Sequence, residues 1–152
     1  MVLDTMSGST TYSAIDLMDG FYQIVMREDD VPLTTISTPS GMLWEWLVIP
    51  QGLTNAPATF NHMVSNLLQP FRDFAPNYFD GIVIHSHAKR GMTDGEVRLD
   101  HLRQVFEVMR ENKLYANLKK CIFCTPEILV LGSYVSKEGV RADPEKIEAI
   151  CA

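Results

Sequence analysis

Basic residues are scarce at one end of this chain. The first 80 residues carry only Arg27 and Arg72, against nine carboxylates. From residue 81 onward eleven basic residues offset ten acidic ones, so the net charge of −6 belongs to the first half. A globally acidic chain argues against a plain electrostatic nucleic-acid binder, which needs a basic surface to neutralise phosphates. Cysteine is also sparse: Cys121, Cys124 and Cys151 are too few and too clustered for a disulfide framework. No apolar run approaches the roughly 20 residues of a membrane span, and no basic-then-apolar leader opens the sequence. Repeats, low-complexity tracts and linkers are lacking too. These absences lead to the expectation of an intracellular, cytoplasmic protein with no membrane partner. What is present, 152 residues of which 46% are hydrophobic and 21% charged, suits one globular domain with a real core.

Strand-like segments broken by turn signals dominate the first part. Tyr12 to Leu17 and Phe21 to Met26 read as strands flanking Asp19-Gly20, and Leu33 to Thr38 and Met42 to Ile49 as a hairpin around Pro39-Ser40-Gly41. Asn55 to Gln69 turns helical, with Phe60, Met63, Val64, Leu67 and Leu68 in phase, Asn55 as N-cap and Pro70 as stop. A second hairpin, Asn77 to Ser86, is expected to turn at Asp80-Gly81, and Ser86 to Glu96 reads as a loop. Glu96 to Lys113 is a helix placing Leu99, Leu102, Phe106 and Met109 on one face. Tyr115 to Cys124 reads as a strand, Glu127 to Val140 as a hairpin around Lys137-Glu138-Gly139, and Pro144 starts a last helix. The order strand, helix, strand, strand, helix, strand is the split βαβ (ferredoxin-like) arrangement: α+β, an antiparallel sheet with two main helices on one face.

In that arrangement the first strand lies beside the Asn77 to Ser86 hairpin, so Asp16 and Asp80 converge at one sheet edge. Converging carboxylates offer Mg²⁺ the hard oxygens it prefers, while strand ends and turns are also ordinary places for aspartate. Cys121-X-X-Cys124 has half of a zinc-ligand set and is otherwise a pair of small apolar thiols. His85 and His87, two apart on a strand, share one face and read as a metal pair or a solvated strand end. Lys113, Lys119 and Lys120 with Lys89, Arg90 and Tyr115 form a candidate nucleic-acid patch or a solvated surface. Asp29-Asp30 reads as a turn.

The segments "YSAIDLMDGFYQI", "WEWLVIPQGLTNAPATFN", "YFDGIVIHS", "LYANLKKCIF" and "LVLGSYVSKEGVRADPEKIEAI" resemble, in order and spacing, the reverse transcriptases of gypsy-type LTR retrotransposons. The resemblance runs from Val2 to Ile150. It implies the palm of a right-hand polymerase over 1–143, with fingers largely absent, and the start of a truncated thumb or connection helix over 144–152. By the same resemblance, Asp16 and Asp80 are the catalytic carboxylates and, with Leu17, the metal-binding residues for two Mg²⁺ ions. Phe21 is implied as the aromatic beneath the incoming sugar, and Gln51 and Gly52 as nucleotide-binding. Asn55, within the Asn55 to Phe60 segment, and Pro57 are implied as template contacts; Leu131, Gly132 and Ser133 hold the primer end. The implied partners are an RNA or DNA template–primer and a deoxynucleoside triphosphate.

One departure stands out. The family carries two adjacent aspartates after Tyr-X, whereas this chain reads Tyr78, Phe79, Asp80, Gly81. The third metal carboxylate is missing, which implies a fold that survives and an activity that does not. The sequence is thus expected to be a retroelement reverse transcriptase domain inactive as it stands, or a non-catalytic nucleic-acid-binding or interaction module derived from one. The acidity is then that of a palm whose basic fingers and thumb are elsewhere.

Overall fold

The computed structural model describes residues 2–151. A short helix, α1 (Val2–Met6), leads into β1 (Thr11–Asp16). A small finger-like hairpin follows, made of β2 (Ile36–Ser37) and β3 (Leu43–Trp44), then helix α2 (Ala56–Leu68). The hairpin β4 (Asn77–Tyr78) and β5 (Gly81–Ser86) precedes the long helix α3 (Asp94–Glu111) and strand β6 (Ile122–Thr125). A three-stranded meander, β7 (Glu127–Val130), β8 (Ser133–Ser136) and β9 (Gly139–Ala142), and helix α4 (Pro144–Cys151) end the chain.

The central sheet has the order β4-β5-β1-β6 with every neighbour antiparallel. With α2 and α3 as its two crossovers, this is the strand order of a split βαβ unit, so the α+β class and antiparallel sheet expected from the sequence are present. Alternation along β1 sorts the two faces. Ile15 and Leu17 join Phe60, Val64 and Leu68 of α2 and Leu102, Val105 and Met109 of α3 in the main core. Tyr12 turns to the opposite face and packs with Leu3, Met6, Ile128 and Val135 beneath the meander. Each such fully buried large side chain contributes about 1.5–3 kcal/mol relative to exposure. The two main helices therefore share one face, and the other face is left open near Asp16.

Several local expectations need correction. Phe21 to Met26 is not a continuous strand: Asp19 enters a left-handed conformation (φ 45°) and residues Gly20–Gln23 form a 3₁₀ turn. Only Ile24 to Met26 run extended, bonded to Leu47 and Ile49. Leu33 to Thr38 shrinks to Ile36–Ser37 because Glu28–Thr34 is a 3₁₀ helix containing Pro32, whose ring fixes φ and removes a ladder donor. Asn55 stands at the N-cap of α2 with helical backbone angles and makes no side-chain cap bond. Helix α3 starts at Asp94, two residues earlier than expected, because Thr93 and Glu96 form a reciprocal capping box. Its buried side is Val97, His101, Leu102, Val105 and Met109, leaving Leu99 and Phe106 facing out. Tyr115 to Cys124 is interrupted by a turn in which Lys120 and Cys121 N–H groups donate to the Asn117 carbonyl. The expected final hairpin is a meander with two turns, one at Lys137-Glu138 and one at Leu131-Gly132. Leu131 (φ 51°) and Gly132 (φ 74°) are both left-handed, the geometry a two-residue turn between twisted strands requires.

Candidate functional site

The end of β1 and the start of β5 build the site. Asp16 is directly opposite Gly81 across the two strands, and one step further the Leu17 N–H donates to the Asp80 carbonyl at 2.8 Å. Asn117 N–H donates to the Asp16 carbonyl at 2.8 Å, so the main chain at Asp16 is held from both sides. The turn joining β4 to β5 consists of Phe79 and Asp80, with Tyr78 paired to Gly81. This corrects the expected Asp80-Gly81 turn: Phe79 takes the left-handed backbone (φ 50°), while Gly81 belongs to the strand and has no positive φ. Glycine's conformational freedom is therefore unused at 81. A Cβ there would meet nothing closer than the Tyr78 carbonyl oxygen at 3.5 Å, an ordinary contact.

A cleft of about 490 Å³ opens at this strand end. It brings together six of the residues singled out from sequence: Asp16, Leu17, Phe21, Gln51, Pro57 and Asp80. Phe21 reaches it on the 3₁₀ turn after β1, its ring edge-on to Phe60 with centroids 5.6 Å apart. That approach depends on Gly20, where a Cβ would stand 2.5 Å from the Phe60 Cζ. Pro57 lies in the first turn of α2, where its missing N–H costs no helical bond.

Others lie elsewhere. Gly52 (φ 96°) is exposed beside Gln51 and does not line the cleft. Asn55 lines a second cleft of about 340 Å³ with Arg27, Asp30 and Thr59. Leu131 and Gly132 sit at the β7–β8 turn outside the main cleft, although Leu131 and Tyr78 border a shared apolar gap of about 30 Å³, so the two hairpins meet. The Lys146 side chain of α4 occupies the space beside Gly132.

Phe79 and Asn117 also line the cleft, and neither is marked by the sequence; Asp19 lines it from the turn after β1. Lys120 was grouped with a surface patch, yet it is the cation of the cleft. The rest of that patch is divided, since Lys89 and Arg90 precede α3 and Lys113 to Lys120 follow it, a helix of 18 residues or about 27 Å away. Gln23 was also missed. Its side-chain amide accepts from the Tyr115 N–H at 2.8 Å and donates to the Tyr115 carbonyl at 3.1 Å and to that of Met18. It thereby ties the turn carrying Phe21 to the segment carrying Asn117 and Lys120, a long-range bond with no sequence signal.

His85 and His87 do not act as a pair. His85 is buried, with Nδ1 hydrogen-bonded to the Ser9 hydroxyl at 2.9 Å, and burial pushes its pKa down to about 4, with His87 and His101 adding to the effect. His87 lies beyond the strand and is exposed. The three thiols are free, and among the described residues no group of three or more His, Cys, Asp or Glu side chains is placed to hold a metal. The cleft does offer two hard carboxylates, Asp16 and Asp80, on adjoining strand ends. This suits an ion held by one or two carboxylates together with substrate phosphates.

Comparison with known proteins gives the same direction throughout. The reverse transcriptase (RNA-dependent DNA polymerase) family matches residues 2–135. The Pol polyprotein of transposon opus from Drosophila melanogaster is 34% identical over 97% of this chain, which covers 14% of that protein. Polyprotein P3 of Commelina yellow mottle virus is 33% identical over 99% of the chain, which covers 8% of it. Among solved structures, the foamy viral protease–reverse transcriptase in complex with an RNA/DNA hybrid superposes with a TM-score of 0.81 at 25% identity. The match covers 99% of this chain and 19% of that one. The chain thus spans a small part of the relatives it matches, and it belongs to the reverse transcriptase family as a domain of the kind found in retroelement Pol polyproteins.

Proposed function

We propose that residues 1–143 form the palm of an RNA-directed DNA polymerase, with 144–152 opening the next subdomain, and that Gly81 leaves this palm catalytically crippled. The observation that carries the proposal is the register: Gly81 faces Asp16 directly, in a position with room for a side chain and no conformational need for glycine. The solved relatives bound to an RNA/DNA hybrid and to double-stranded DNA support a template–primer duplex as the partner.

In the intact reaction the primer 3′-oxygen bonds to the α-phosphorus of a deoxynucleoside triphosphate. The bond to pyrophosphate breaks and the 3′-hydroxyl loses its proton. Asp16 and Asp80, with the Leu17 main chain beside them, would hold Mg²⁺, which when bound polarises the attacking and leaving oxygens. Phe21, backed by Phe60, would form an apolar wall beneath the incoming sugar, the position from which an aromatic ring selects against a 2′-hydroxyl. Gln51 and Gly52 flank the nucleotide, Asn55 and Pro57 the template, and Leu131 and Gly132 the primer end. Lys120 provides the positive charge that triphosphate oxygens require in an otherwise acidic cleft. With glycine at 81, one anchor and one negative charge of a two-ion site are gone, and water in that place restores no charge. Loss of one of a set of cooperating groups costs on the order of 10³ in rate.

Primer extension with Mg²⁺, then Mn²⁺, tests this. The chain as it stands should show no template-directed synthesis, and Gly81→Asp within the longer polyprotein should raise synthesis by about 10³-fold. Equal extension by the two would overturn the role given to Gly81. The same substitution site favours a second reading, a non-catalytic module that keeps its grip on duplex nucleic acid. Its affinity should fall as salt rises, and a slope near zero would remove any phosphate contact.

A further inference from the structure

We infer that Gln23 is a positioning residue of the polymerase site: its side-chain amide sets Lys120 against the carboxylate end of β1 and so governs how tightly the deoxynucleoside triphosphate is held. The inference rests on the polymerase reading and extends it to a residue that lies outside the lining of the cleft.

Lys120 reaches the cleft on a short irregular segment. Leu17 and Ala116 form an isolated antiparallel bridge, with the Met18 N–H donating to the Tyr115 carbonyl at 2.9 Å and the Asn117 N–H to the Asp16 carbonyl at 2.8 Å. The segment then turns at once, the Lys120 and Cys121 N–H groups both donating to the Asn117 carbonyl, at 3.0 and 3.2 Å. Two main-chain bonds to β1 are a thin tether for a cation that must meet a substrate phosphate, where a misplacement of about 1 Å can cost on the order of 10²-fold.

Gln23 strengthens that tether. From the end of the Gly20–Gln23 turn its Oε1 accepts the Tyr115 N–H at 2.8 Å, and its Nε2 donates to the Tyr115 carbonyl at 3.1 Å and to the Met18 carbonyl. One amide therefore pairs both main-chain groups of Tyr115, as a neighbouring strand would. Glutamine fits this task where side chains of similar size fail. An ionised glutamate has no donor, asparagine is one methylene short, and methionine has the length without the N–H.

Of the two segments the amide joins, the one carrying Lys120 is free to shift. The Gly20–Gln23 turn is braced without it: Phe21 packs edge-on to Phe60, Tyr22 stacks on Trp46 with centroids 5.7 Å apart, and the Tyr22 and Ile24 N–H groups bond within the turn at 2.9 and 3.2 Å. Asp16 and Asp80 are likewise fixed by the β1–β5 ladder. Tyr115 is 60% exposed, so water can replace the amide there at little cost to the fold. Loss of the amide therefore loosens Lys120 and leaves the carboxylates and the Phe21 ring in place.

Steady-state primer extension by the Gly81→Asp polyprotein, in which the missing carboxylate is restored, separates the outcomes. Gln23→Met should raise the KM for the deoxynucleoside triphosphate about tenfold and leave kcat within about twofold, the pattern of lost substrate binding. Lys120→Ala should raise KM at least as much. The double variant should be no worse than Lys120→Ala alone, because Gln23 acts through Lys120. Template–primer affinity and the preference for deoxy- over ribonucleotides should stay unchanged in Gln23→Met. An unchanged KM would overturn the inference, and so would effects of Gln23→Met and Lys120→Ala that multiply. A loss of template–primer affinity as large as the rise in KM would also overturn it, as the mark of a general loosening of the fold. Absence of extension by the Gly81→Asp polyprotein itself would remove the polymerase reading and this inference with it.

Discussion

Two glycines in the site are glycine for opposite physical reasons. At Gly20 a side chain has nowhere to go: an added methyl would press on the Phe60 ring, which is itself held edge-on by Phe21 inside the main core. Gly20→Ala should therefore destabilise the fold by about 1–3 kcal/mol, the usual cost of forcing extra volume into a packed site. Urea unfolding measures it, and an unchanged midpoint would mean that the Phe60 ring can swing aside. At Gly81 the space is open and the backbone ordinary, so Gly81→Asp meets no steric cost, and the new carboxylate directly opposite Asp16 should lower the midpoint by about 0.2–1 kcal/mol in metal-free buffer through like-charge repulsion. The pair separates a glycine required by packing from one that neither packing nor backbone conformation requires. Sequence alone cannot make that distinction, because Asp-Gly is such a common turn signal that it draws the turn toward Gly81. The structure instead gives the left-handed position to Phe79, whose N–H is held by the Asn61 side chain at 3.3 Å.

Helix α3 shows what was legible in the sequence at the scale of an element. Its existence, length and amphipathic character follow from periodicity, but its buried face was displaced by about one position. Leu99 and Phe106 form a second apolar stripe in phase with Leu102, whereas the true core stripe includes His101, which a purely apolar pattern discards. The helix start, in contrast, was written locally as Thr93-X-X-Glu96 and was readable. The Thr93 hydroxyl accepts from the Glu96 N–H, and the Glu96 carboxylate accepts from the Thr93 N–H at 2.8 Å. Thr93→Ala should cost about 1 kcal/mol and fray the first turn. Hydrogen exchange at residues 94–97 should rise, and protection equal to that of the unmodified chain would show that neighbouring contacts, and not the cap, fix this end. Strands are less legible than helices here because the short ones are set by distant partners. Ile36–Ser37 and Leu43–Trp44 are two-residue remnants of longer β-like runs, cut short by Pro32 and the 3₁₀ helix around it.

At the scale of the whole molecule, the buried histidines make folding sensitive to acid. His85 and His101 lie 4% exposed where β5, α3 and the entry to β1 meet, with Ser9 on one ring, Ser86 on the other and Phe74 stacked on His101. Among the described residues the His85 Nε2 has no hydrogen-bond partner, so protonation would create a buried N–H with none of them to accept it. Burial accordingly holds the His85 pKa down to about 4, and it lowers that of His101, with Lys89 adding to the effect. Both groups prefer the neutral form when folded and take up protons more readily when unfolded. Stability is therefore full above about pH 6.5, declines as pH falls toward 4 while the unfolded chain alone is protonated, and levels off below that for His85. With the folded-state value near 4, the stability lost through His85 over that range is on the order of 3 kcal/mol at most. Urea unfolding at pH 7.5, 6, 5 and 4 should trace this fall, and His85→Leu should flatten it while lowering stability at pH 7.5 by stranding the Ser9 hydroxyl. An equal pH slope in the variant would assign the acid sensitivity to other groups.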